Sequence, residues 1–139
     1  MHTTDVLLKS HPVKLADAEM EKLLACVQAC LECGRNCTAC ADACLAEEMV
    51  ADLRACIRTN QDCATICAAT AEVLTRLTAS NTDITGSLVE ACRIACRVCA
   101  EECERHADMH DHCRVCAESC RRCEATCDEM LSVLRAVAR

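Results

Sequence analysis

The sequence predicts an all-α fold: an antiparallel up-down four-helix bundle with a cysteine-lined core, preceded by a short N-terminal arm. Three observations predict it. Eighteen of the 139 residues are cysteine, and from Cys26 they recur at steps of four and three, as Cys26, Cys30, Cys33, Cys37, Cys40 and Cys44. That heptad rhythm returns a thiol to the same helix face at every turn. Proline occurs once and glycine twice, far fewer turn formers than a loop-rich, disulfide-stapled domain needs. The links between the periodic segments are short, which favours antiparallel neighbours.

Residues 1–14 read as an arm that includes the single proline, Pro12, and residues 15–139 as the bundle. The first bundle helix is expected over about residues 15–46 and the second over about 51–78. The polar stretch 79–86 then breaks the pattern, and Ser87 with Glu90 three residues on reads as a capping box opening the third helix. That helix continues to about residue 108, and the fourth covers about 111–136. Sequence rich in Ala, Leu, Glu and Arg supports helix in all four.

The cysteine rows recur from helix to helix. The string C-x3-C-x2-C-x3-C appears at Cys26–Cys37 and again at Cys92, Cys96, Cys99 and Cys103. The fourth helix carries Cys113, Cys116, Cys120, Cys123 and Cys127. The second is sparser, with Cys56, Cys63 and Cys67, and Asn60 fills its vacant slot. Facing inward, these rows line a tube; the row of the first helix alone spans roughly 27 Å at 1.5 Å per residue. One end of the tube gathers Leu23, Leu74, Leu77, Leu88, Leu131 and Leu134, an apolar plug. At the other end the third row continues as His106 and His110, with Met49, Met109 and His112 nearby. The tube is therefore expected to be closed by leucine and opened by histidine and methionine.

The formal charge is −7, and Phe, Trp and Tyr are absent. Nucleic-acid binding would call for a basic stripe and, for single strands, aromatic platforms. No apolar run approaches the ~18–20 residues of a membrane span. The arm's one apolar run, Val6-Leu7-Leu8, falls short of the ~7–15 residues of a secretory signal. A cytoplasmic compartment, where thiols stay reduced, is the expectation.

A single buried cysteine is ordinarily a small hydrophobe, but eighteen in registered rows fill a core poorly. Disulfides between thiols on one helix face would strain the helix, and bridges between helices, though possible, are opposed by a reducing cytosol. Metal binding remains. Two thiolates holding an ion linearly want sulfurs about 4–4.5 Å apart, given a metal–sulfur bond of ~2.3 Å, and helix neighbours at i and i+4 come within reach. Zinc at four thiolates per site would place about four ions among the eighteen and leave the core near −10, which is costly to bury. Cu(I), monovalent and bridged by thiolates, can approach one ion per sulfur and a nearly neutral core, and soft thiolates select it. The C-x2-C-x2-C-x3-C-P iron–sulfur string, the C-x-x-C-H haem attachment and the Glu-x-x-His di-iron motif are all missing. His106 and His110 are candidates for an entrance or ligand role, with a polar cap as the alternative. Met49 and Met109 suit Cu(I) but also suit ordinary packing. The acidic residues Glu47, Glu48, Asp108 and Asp111 either steer cations or form a solvated rim.

The repeated C-x3-C-x2-C-x3-C rows, the lack of aromatics and the His/Met end resemble the bacterial copper storage proteins, the Csp family. The resemblance extends from about residue 15 to the C-terminus. It implies a four-helix bundle whose core thiolates bind many Cu(I) ions, on the order of one per cysteine, assembled as a homotetramer. The missing secretory signal resembles the cytosolic branch, in which histidines are prominent at the open end. Carried over, all eighteen cysteines match the core ligands and His106 and His110 match the entrance; Asn60 would take part through its side-chain oxygen. The competing functions are a copper chaperone that exchanges ions with donor or acceptor proteins, a metallothionein-like zinc or copper buffer, and a thiol redox scaffold. No nucleophile–base–orienter set points to an enzyme.

Overall fold

A computed structural model describes residues 2–137. Among these residues five α-helices make up the fold: α1 (Thr3–Lys9), α2 (Asp17–Leu45), α3 (Arg54–Leu74), α4 (Thr82–Glu104) and α5 (Asp111–Val137), with a 3-10 turn at Val50–Leu53 ahead of α3. Helices α2 to α5 form a ring of four in which α2 packs on α3 and α5, and α4 packs on the same two. Successive helices run antiparallel. The end of α2 meets the start of α5, where Cys40 Sγ lies 3.4 Å from His112 Nδ1, and the start of α3 meets the end of α4, where Cys56 and Cys103 are 3.7 Å apart.

The arm is not simply extended chain. Residues 3–9 form α1, and its Leu8 is 2% exposed. Gln28 Nε2 on α2 donates to Asp5 Oδ1 at 3.1 Å, tying α1 to the bundle. The start of the third bundle helix also differs from expectation. It begins at Thr82, five residues before Ser87, because Asn81 Oδ1 accepts from the backbone N–H groups of Asp83 and Ile84. This is the usual asparagine cap, which satisfies donors that the first helical turn leaves free. Glu90 is then free to pair with Arg93 on the same helix.

All eighteen cysteines are buried and face the shared axis. The plug is present at the α2 start, with Leu23, Leu74 and Leu131 buried and Leu77 and Leu134 packed on them. In α4 the core row continues as Val89 and Thr85, both buried, while Leu88 lies half-buried beside it. The steps from Thr85 through Val89 to Cys92 and Cys96 keep the four-three-four rhythm, so Val89 occupies the register assigned to Leu88. The residues between cysteines, such as Glu32, Arg35, Arg97, Glu101 and Arg121, are exposed as expected. Some link helices across the surface, as Arg121 does to Glu104 at 2.7 Å and Arg122 to Glu32 at 3.1 Å; such exposed pairs contribute little each. No described helix is long and apolar enough to cross a membrane.

Candidate metal centre

The four rows bring sulfur against sulfur along the bundle axis. Cys33 Sγ lies 3.7 Å from Cys120, 3.8 Å from Cys37 and 4.0 Å from Cys63. Cys30 lies 3.7 Å from Cys123 and 3.9 Å from Cys92. Cys67 touches Cys63, Cys92 and Cys96, each at 3.8 Å. These separations are nearly double the ~2.05 Å of a disulfide, and all eighteen thiols are free. They approach the spacing that two thiolates on one ion require.

Foursomes of sulfurs within 4.8 Å of one another recur along the tube: Cys30, Cys92, Cys123 and Cys127; Cys33, Cys63, Cys67 and Cys96; Cys37, Cys99, Cys116 and Cys120; and Cys40, Cys44, Cys56 and Cys113. A further set, Cys33, Cys37, Cys63 and Cys120, overlaps two of these. Cys26 and Cys103 complete the rows, Cys103 within 4.0 Å of Cys99. A sulfur that belongs to two foursomes cannot close two separate tetrahedral sites without bridging, so the array is built for ions that share thiolates.

Asn60 sits wholly buried within the thiols. Its Oδ1 accepts from Cys99 at 3.0 Å, Cys116 at 3.2 Å and Cys103 at 3.6 Å, and its Nδ2 donates to Cys56 at 3.7 Å. A buried amide satisfied only by thiols is otherwise an expensive choice. Its oxygen is set among sulfurs, in the slot of the α3 row that lacks a cysteine.

At the mouth the structure redistributes the importance of the side chains. His110 is buried, and its Nδ1 lies 2.6 Å from Glu47 Oε2. His112 Nε2 lies 3.2 Å from the same oxygen, and its Nδ1 lies 3.4 Å from Cys40 and 3.6 Å from Cys113. The two imidazoles stack with centroids 5.3 Å apart. His106 is half-buried and pairs with Glu102, one turn back on its own helix, at 3.3 Å. His112 is therefore the histidine that meets the thiols, although it stands outside the α4 heptad row. Met49 and Met109 are 39% and 62% exposed, rim residues rather than lining. Glu48, Asp108 and Asp111 are exposed, whereas Glu47 turns inward.

Proton affinities vary along the tube. Loss of solvation pushes the Cys44 thiol up to about 11 and raises that of Cys113. Hydrogen bonds from Cys103, Cys116 and Cys56, and more weakly from His112, hold the Cys40 thiol below its ordinary range. Burial pulls His112 down, but its hydrogen bonds to Cys40 and Glu47 and their negative charge outweigh that and raise it overall.

The profile of the Csp family, described as copper storage protein, matches residues 19–132. The chain is 50% identical to the copper storage protein Ccsp of Streptomyces lividans, solved loaded with 10 copper equivalents. That match has a TM-score of 0.90 and covers 94% of this chain and 98% of the other. It is 32% identical to the apo form of copper storage protein 3 from Bacillus subtilis, with a TM-score of 0.66 over 77% of this chain and 96% of that one. It is also 33% identical over 106 residues to the cysteine-rich protein YhjQ of Bacillus subtilis, covering 76% of this chain and 93% of YhjQ. With the thiol array and four-helix ring already described, these matches establish that the chain belongs to the copper storage protein family.

Proposed function

We infer that the protein is a cytosolic, non-enzymatic store that holds many Cu(I) ions, on the order of one per cysteine, in the bundle of residues 15–139, with residues 1–14 as an accessory arm. The ligands are the thiolates of Cys26, Cys30, Cys33, Cys37, Cys40, Cys44, Cys56, Cys63, Cys67, Cys92, Cys96, Cys99, Cys103, Cys113, Cys116, Cys120, Cys123 and Cys127. His106 and His110 serve the entrance, and His112 joins them there. The observation that carries this reading is the continuous run of Sγ–Sγ separations of 3.7–4.0 Å shared among overlapping foursomes. Each thiol gives up a proton as it takes an ion, so a monovalent cation leaves the buried core close to neutral. The cytosolic assignment is supported by the Streptomyces relative, described as a cytosolic copper storage protein.

A zinc buffer is the second reading that the foursomes favour, because a tetrahedron with ~2.3 Å bonds has edges near 3.8 Å. Anaerobic titration of the reduced apoprotein with Cu(I), and in parallel with zinc, separates the two. Uptake near one Cu(I) per cysteine supports storage. Saturation at one or two Cu(I) would indicate a chaperone, and tight binding of four or five zinc ions would overturn the charge argument. His106→Ala combined with His110→Ala is expected to slow loading and leave capacity unchanged.

The assembly is proposed to be a homotetramer that exchanges copper with donor and acceptor proteins. Partly exposed Leu31, Ile94, Val98 and Val115 on the outer helix faces are the apolar surface available to it. Light scattering on the purified protein tests this, and a monomer mass would exclude it.

A further inference from the structure

Glu47 lies in the loop that follows α2, opposite the loop that joins α4 to α5. It differs from the other acidic residues of the mouth. Its side chain is 31% exposed, against 94% for Asp111, and one of its oxygens serves two imidazoles at once. The Oε2–Nδ1 separation of 2.6 Å to His110 is that of a short charge-assisted hydrogen bond. A carboxylate has no proton to give, so His110 must donate from Nδ1. A neutral imidazole that donates from Nδ1 carries its lone pair on Nε2. The Nε2 of His110 is buried and is the one buried side-chain N or O atom among the described residues without a protein hydrogen-bond partner. Such a group is costly to leave unpaired, unless it is kept free for a ligand.

The second ring follows the same logic. His112 faces the same oxygen through Nε2, which turns its Nδ1 toward Cys40 and Cys113, two sulfurs at the mouth end of the tube. The stacked rings therefore present one open nitrogen within the mouth and one against the thiols.

We propose that Glu47 is a positioning residue for copper uptake. By accepting from His110 Nδ1 it fixes the tautomer that leaves Nε2 open to a soft monovalent cation, and by holding His112 it aims that ring at Cys40. The proposal rests on the reading of the mouth as the route for Cu(I), and deepens it. Carboxylates that hold a metal-binding histidine by its other nitrogen act in this way, and losing one typically costs 10–100-fold in affinity or activity.

The test has two arms. In the reduced apoprotein at about pH 8, above the ordinary imidazole range, long-range proton–nitrogen correlation NMR reads the tautomer of His110. The expected result is the Nδ1–H form in the parent protein and a shift toward Nε2–H in Glu47→Ala, with partial rescue in Glu47→Gln, which keeps an acceptor oxygen. In the second arm, anaerobic stopped-flow follows Cu(I) uptake from a weak chelator complex. Glu47→Ala is expected to load about tenfold more slowly with full final capacity, and adding Glu47→Ala to a variant that already carries His110→Ala and His112→Ala is expected to slow loading no further. An Nε2–H tautomer in the parent protein would overturn the proposal. So would Glu47→Ala loading at the parental rate while His110→Ala is slow. If His110→Ala also loads at the parental rate, the fault lies in the mouth as a route, and a tautomer that still depends on Glu47 would separate that failure from this one.

Discussion

The two ends of the bundle are built on the same four helices in the same register, yet they are opposite in chemistry. At the plug, Leu23, Leu74 and Leu131 are at most 6% exposed and extend the same buried core beyond the thiols. At the mouth the lining is Glu47, His110 and His112, held by hydrogen bonds from the loop after α2 to the link before α5 and to the first turn of α5. Burying a leucine contributes on the order of 1.5–3 kcal/mol, whereas a cysteine is smaller and contributes less. The difference teaches that the chemistry is laid out along the axis: the plug packs leucines, the shaft packs thiols and the mouth presents imidazoles around a carboxylate.

Loading the shaft with copper is the largest effect expected. A ligand that binds only the folded chain stabilises it by about 2.7 kcal/mol at one hundred times its dissociation constant, and many sites act together. Thermal unfolding followed under argon should therefore move up by more on loading than any single substitution moves it down. A loaded protein that melts with the apoprotein would mean that the ions contribute no cohesion to the shaft.

Leu23→Ala comes next. Removing a buried leucine typically costs 2–5 kcal/mol, so the apoprotein's urea midpoint should fall sharply while its Cu(I) capacity holds. Lost capacity in a variant that still folds would show that plug and shaft are one unit. Asn60→Ala should cost the apoprotein about 1–3 kcal/mol, because the thiols that faced its amide lose their partner. It should also change the early copper-dependent absorption, since it alters the donor set of Cys99 and Cys116. Identical spectra through the whole titration would remove Asn60 from the site.

The smallest effects lie in the backbone near the plug. Gly86 is inside α4, and a Cβ there would meet nothing within 4 Å, so Gly86→Ala should gain up to about 1 kcal/mol. Ala79 holds a φ of 52° in the link between α3 and α4, a left-handed conformation that suits glycine better. Ala79→Gly should therefore also be neutral or stabilising, against the usual direction of that change. Denaturant midpoints of the two variants check both signs; a loss in either would show that the local geometry is not what limits the plug.

The shaft was legible in the sequence because a heptad row is a statement about one helix face, and eighteen repetitions leave little ambiguity. The histidine end was less legible. His106 and His110 extend the α4 row, but α4 ends at Glu104, so the periodicity ceases to report direction just where those residues begin. His106 turns back to Glu102, and His112, at the start of α5, reaches the thiols from the neighbouring helix. Glu47 could not be separated from Glu48 by residue type, because their difference is the path of one loop. The cap at Asn81 was masked by the Ser87–Glu90 pair, since both are sound start signals and only the first is at the helix end. The helix in the arm was hidden by its length, because seven residues form a helix only when something holds them, here Leu8 and the link from Asp5 to Gln28.

The sulfurs of the shaft form a lattice rather than a wire. Cys33 lies 3.7 Å from Cys120 and also borders Cys37 and Cys63, while Cys37 in turn reaches Cys99 at 4.0 Å and Cys116 at 3.8 Å. Taking away the sulfur of Cys37 leaves Cys33 joined to Cys120, which still lies within 4.8 Å of Cys99 and Cys116. Detours of this kind mean that one oxidised or substituted thiol does not cut the deep half of the protein off from its surface. The redundancy that looks extravagant in composition is, in topological terms, tolerance to damage.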